Sequence, residues 1–191
     1  MLLSGTFTMA VMYLVLLCDS IVAGYYIGEA GVAAINAITP LSGVMMFFGD
    51  IVSIGASTIY AREVGAMRKR RADEIFGQGL IVSLAVGLLL AAAFYLIRGV
   101  YFSANGTTGE ILKYSLEYYR FLPLNAFLTV FVYFLEQMVY SDGDELCNNI
   151  CYAFQIGGSI VFSIILTKRL GMTGNILGCV IGNGLGILVC F

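Results

Sequence analysis

The chain has 191 residues, 60% hydrophobic and only 12% charged, with 12 acidic against 10 basic side chains and a net charge of −2. A soluble domain carries about a quarter charged residues, so this composition and a mean hydropathy of +0.92 indicate a polytopic, all-α membrane protein. The charge balance offers nothing to nucleic acid, and the absence of histidine removes the commonest general base and metal ligand.

The first apolar stretch covers residues 2–27 and holds a single charge, Asp19. About 20 apolar residues cross a ~30 Å hydrocarbon core as a helix, so this stretch is long enough to span. It lacks a basic leader, and its apolar run exceeds that of a cleavable signal. The second span, residues 33–61, follows a turn GEAGVAA and contains Pro40, where a kink is expected. The loop REVGAMRKRRADE then holds Arg62, Arg68, Lys69, Arg70 and Arg71, half of all the lysine and arginine. The positive-inside rule places that loop in the cytoplasm.

A third span covers residues 75–97, and the polar, glycine-rich RGVYFSANGTTGEILK forms a loop on the opposite side. The fourth, residues 115–140, is interrupted by Pro123 and ends in acidic SDGDE; the fifth is 146–167 and the sixth 172–191. Six spans joined by short loops form a single lobe and put the N-terminus in the cytoplasm of a multi-pass protein of the cell membrane. Lys168 and Arg169 then lie outside, against the charge rule, but the five positives of the first basic loop outweigh them. Met1 begins almost inside a span and Phe191 lies within an apolar run, so the chain is expected to be a fragment.

Polar residues fall on stripes of helical spacing. Ser4, Thr8, Asp19 and Tyr26 share a side of the first span, and Asn36, Gly43, Asp50 and Ser57 recur every seven residues in the second. Asn125, Thr129, Glu136 and Tyr140 line the fourth, and Asn148, Tyr152, Gln155, Ser159 and Ser163 the fifth. Such residues serve either as helix–helix glue, worth roughly 0.6 kcal/mol per hydrogen bond, or as a cavity lining. In the sixth span Gly174, Gly178, Gly182 and Gly186 recur every four residues, the pattern of close helix approach.

Asp19, Asp50 and Glu136 are the ion-coupling candidates. A carboxylate inside a span costs at least ~2.5–3.5 kcal/mol on insertion scales. It persists by facing a polar interior, by pairing, or by taking up a proton or cation. Glu136 stands little more than one turn from SDGDE, so a solvated interfacial role competes with coupling. The five cysteines, Cys18, Cys147, Cys151, Cys179 and Cys190, form no CxxC pair; packing is expected, rather than a disulfide framework or a zinc site. The segment GAST, residues 55–58, has a serine-hydrolase look, but without histidine a serine–histidine pair cannot form, and no enzyme is expected.

The succession CDSIVAG, GEAGVAAINAITPL, GDIVSIGAS, YAREVGA, EYYRFLPL, SDGDEL and LGMTGNILGCVIGN resembles the N-terminal lobe of MATE transporters, the multidrug and toxic compound extrusion antiporters. The resemblance covers nearly the whole chain in order. It implies one six-helix lobe of a twelve-helix antiporter, a missing C-terminal lobe of the same protein, an organic cation as cargo, and H+ or Na+ as the coupling ion with no other cofactor. Asp19 matches the family's acidic position in the first helix and is the place for a bound Na+. The family's asparagine and aspartate in the fifth helix read Ser159 and Ser163 here, and a polar position in the sixth reads Cys179. With Tyr26, Asn36 and Gln155, these are the expected cavity-lining residues. A flippase for a lipid-linked saccharide, built on the same architecture, and a non-transporting remnant are the alternatives.

Overall fold

The computed structural model describes residues 17–190. Residues 2–16 of the first span, with Ser4 and Thr8 of its polar stripe, and Phe191 lie outside the described residues. Among the described residues every regular element is a helix, and five helices are long and apolar enough to cross a membrane. The all-helical bundle is thus reproduced; α1, residues 17–26, is the described part of the expected first span.

The chain turns at once after α1. Gly28 takes φ +89, a left-handed conformation that glycine adopts without a Cβ penalty, and α2 starts at Glu29. GEAGVAA is therefore mostly the first turns of α2 (Glu29–Gly65), not a loop. The third helix, α3 (Lys69–Ala104), likewise outruns its predicted span of 75–97. The residues RGVYFSA, expected in a loop, form its last turns because they are packed: Phe102 is buried, and the Tyr101 hydroxyl donates to the Ala37 carbonyl at 2.6 Å. That carbonyl lies in the turn before Pro40; the proline itself removes the N–H that would bond the preceding carbonyl, that of Asn36, and Tyr101 ties down the same turn from α3.

The fourth span is two helices, α4 (Gly109–Tyr119) and α5 (Leu122–Ser141), meeting at Arg120 and Phe121. Pro123 sits in the first turn of α5, where its missing N–H breaks no helical bond. The interruption thus falls just upstream of the proline. Helix α5 packs against α2, α3, α6 and α7 and forms the axis of the lobe.

The last two helices, α6 (Glu145–Leu170) and α7 (Met172–Cys190), form a tight antiparallel hairpin through Gly171. The sixth-span glycines lie at this contact. A Cβ on Gly174 would overlap the Leu166 carbonyl, one on Gly178 the backbone of Ser163, and one on Gly182 would stand 2.6 Å from the Gln155 carbonyl oxygen. Only hydrogen fits, which is what lets the two backbones meet.

Apolar packing forms two clusters. One gathers Ile38, Phe94, Tyr119, Leu122, Met172 and Ile176; the other gathers Val52, Phe134, Leu135 and Met138. The buried face of α2 runs through Ala34, Ile38, Leu41, Met45 and Val52. This corrects the expected second-span stripe: Ser57 is buried, but Asn36, Gly43 and Asp50 are exposed on the opposite, open side. Apolar residues win most of the inner face of α2, so Asn36 and Asp50 are left on the surface while the small Ser53 and Ser57 fit inside.

Candidate ion and cargo site

Three helices converge on Asp19, which is 6% exposed. Ser163 on α6 donates its hydroxyl to Asp19 Oδ1 at 3.4 Å, and the Cys179 thiol on α7 faces Oδ2 at 3.4 Å. The Asn175 side-chain amide donates to the Asp19 backbone carbonyl at 3.1 Å, fixing the height of α1 against α7. Cys179 also touches Ser159 and Tyr118. An O–H···O bond is usually 2.5–3.0 Å, so the hydroxyl holds the carboxylate loosely. No cation reaches it: the ion pairs among the described residues are Arg68–Glu63 at 3.4 Å and Arg70–Glu74 at 3.3 Å, both at the α2–α3 turn. The Asp19 carboxyl is thus ringed by neutral donors, with oxygen lone pairs to spare.

Asp19 opens onto a cavity of about 130 Å³. Below it lies an amide node. Asn183 Nδ2 donates to Asn125 Oδ1 and to Thr129 Oγ1, both at 3.0 Å, and Asn183 Oδ1 accepts from Gln155 Nε2 at 2.9 Å. The walls add Met45, Met46, Tyr118, Tyr133 and Tyr152. Aromatic faces and thioethers make a soft lining that suits an organic cation. The fifth-span stripe lies on one face of α6 and supplies a rail of side chains: Ser163 at Asp19, Ser159 and Gln155 along the cavity, and Tyr152 at its far end.

Of the predicted residues, Asp19, Gln155, Ser159, Ser163 and Cys179 meet in this one site. Tyr26 does not: it lies at the end of α1, 40% exposed, with its ring against Tyr25. Asn36 and Asp50 do not line the cavity either, because both lie on the open side of α2. Glu136 corrects the interfacial alternative. It is 1% exposed, lying behind Tyr133 and Tyr152 rather than in solvent. Asn175, Asn183, Tyr118 and Tyr133 are site residues missed in the sequence. Asn175, Cys179 and Asn183 recur every four residues, a polar stripe masked by the glycine stripe one position earlier.

The MatE family model matches residues 6–171. A curated relative, the "Multidrug export protein MepA" of Staphylococcus haemolyticus (strain JCSC1435), is 25% identical over 156 residues, covering 81% of this chain. The chain spans about a third of that relative's length, 34%. Two solved structures share the fold. The outward-facing conformation of a multidrug resistance MATE family transporter of the MOP superfamily gives a TM-score of 0.87 at 24% identity, covering 95% of this chain and 41% of that one. An inward-facing conformation of such a transporter gives 0.86 at 22%, covering 92% and 40%.

Proposed function

Because this chain belongs to the MatE family, we propose that it is the N-terminal lobe of a cation-coupled antiporter that exports organic cations, with Asp19 as the coupling site. The observation that carries this reading is a buried carboxyl with no cationic partner among the described residues, held loosely by neutral donors and open to an aromatic, methionine-lined cavity. Such a group lowers its cost by binding a proton or Na+, and the bound ion changes what the cavity accepts. Ser163 in place of the family's aspartate leaves Asp19 as the single carboxylate of this cluster. Acidic rather than basic lining disfavours the anionic cargo of a lipid-linked saccharide flippase.

The lobe has the fold of both an outward-facing and an inward-facing relative, at nearly equal similarity. We take it to move as one body, with alternating access arising between this lobe and a second one. The open side of α2, carrying Asn36 and Asp50, would then face the passage between lobes. Ion and cargo act by binding the two states differently, since a ligand shifts an equilibrium only by its differential affinity. We place the α2–α3 turn in the cytoplasm, by its five basic residues, and the protein in the cell membrane.

The test is Asp19→Asn in the full-length protein, reconstituted in liposomes. Ion-driven efflux of a fluorescent organic cation should be lost while membrane insertion and the folded yield are retained. Undiminished efflux would overturn the reading.

A further inference from the structure

Glu136 is used by nothing described so far. It lies on α5 with both carboxylate oxygens buried and without a hydrogen-bond partner among the described residues. The Tyr152 hydroxyl approaches it from α6 without reaching full bonding geometry. The groups that face it are Tyr133 on α5 itself, Tyr152 and Cys151 on α6, and Cys190 on α7. Asp50 on α2 acts on the same two tyrosines, and Cys147 lies beyond Cys151. Every ionisable group in this set is acidic, and none is a cation.

A bare carboxylate in such a place is untenable, because neither water nor a counter-charge repays its desolvation. Two remedies are open, a metal cation or a proton. A hard cation takes a shell of several oxygen ligands. The groups facing Glu136 are two phenols and two thiols, which cannot supply that shell. A proton needs nothing more than the carboxylate itself.

Position gives this proton a use. Tyr133 and Tyr152 line the cavity on one side and face Glu136 on the other. Asp19 meets α6 at Ser163, while Glu136 meets it at Tyr152, about 16 Å further along the same face at 1.5 Å per residue. The polar side chains of Ser159 and Gln155 lie between. Glu136 stands nearer the α5–α6 turn and Asp19 nearer the opposite end of the lobe.

We propose that Glu136 is a second proton-binding site of the lobe, separate from Asp19, serving the membrane face of the α5–α6 turn. In this step the Glu136 carboxylate takes a proton from hydronium carried by water entering between Tyr133 and Tyr152, leaving water, and becomes a neutral acid. It returns that proton to water on the turn side, regenerating the carboxylate. The inference rests on the transport reading above, since a proton that merely stays in place would be structural.

The experiment uses the full-length protein in lipid. Infrared spectra at neutral pH should show the C=O stretch of a protonated carboxylic acid, retained in Asp19→Asn and lost in Glu136→Gln. In proteoliposomes, Glu136→Gln should also lower the ratio of protons to cargo moved. Should Glu136→Gln fail to fold, Glu136→Asp keeps the acid on a shorter stem and should shift the band. A band untouched by either substitution overturns the proposal. So does a band that is lost with no change in the proton ratio, which would make the proton structural. Coupled efflux surviving in Asp19→Asn would instead overturn the role of Asp19, leaving the Glu136 band as an independent result.

Discussion

Asn183 shows how much one side chain can organise in a span. Its amide ties α7 to α5 through Asn125 and Thr129 and to α6 through Gln155. At roughly 0.6 kcal/mol for each interhelical bond, and more for amides left unpaired, Asn183→Leu should cost about 2 kcal/mol. Thermal unfolding in detergent would measure this as a lowered Tm, with cargo affinity reduced in the same variant because the cavity wall loses its node. The contrast with Ser163 is instructive. Its hydroxyl lies 3.4 Å from Asp19 Oδ1, too far to stabilise much, so its service is to leave the carboxyl oxygens free.

Among the elements, the α6–α7 hairpin is the tightest joint. Gly178→Leu would drive a side chain into the backbone of Ser163, which cannot yield as a flexible side chain can. Overpacking of this kind costs about 1–3 kcal/mol, occasionally more, and should abolish a monodisperse elution profile. Gly184 is the control on the same helix: nothing stands within 4 Å of a Cβ there. Gly184→Ala should leave the profile unchanged and raise Tm slightly, by up to ~1 kcal/mol of helix propensity. Helix type and order were legible from hydropathy alone. The ends of α2 and α3 were not, because their last turns are held by tertiary contacts such as Tyr101 on Ala37, and polar flanks read as loop.

At the scale of the whole molecule, the proposed antiport mechanism requires this lobe to move as one body. Spin labels at exposed Arg70 and Leu146, introduced as cysteines in a background without native cysteines, should keep one separation whether cargo is present or absent. A separation that changes with cargo, read by pulsed electron resonance, would place the conformational change inside the lobe instead. Labels between this lobe and the remainder of the full-length protein should move apart or together over the same titration.

Composition and periodicity by themselves determined that the chain is a helical membrane lobe, that Asp19 is its costliest residue, and that α6 presents a polar face and α7 a glycine face. These follow from local rules: a bilayer admits few charges, and a helix repeats every 3.6 residues. Only the tertiary structure decided which stripes meet. Asn36 and Asp50 of α2 turn outward while the polar residues Asn125, Gln155 and Asn183 of α5, α6 and α7 turn inward. Glu136, close in sequence to an acidic turn, is sealed behind two tyrosines. Spacing tells which residues share a face, but not what that face packs against; burial is a property of the neighbours, and neighbours come from distant chain.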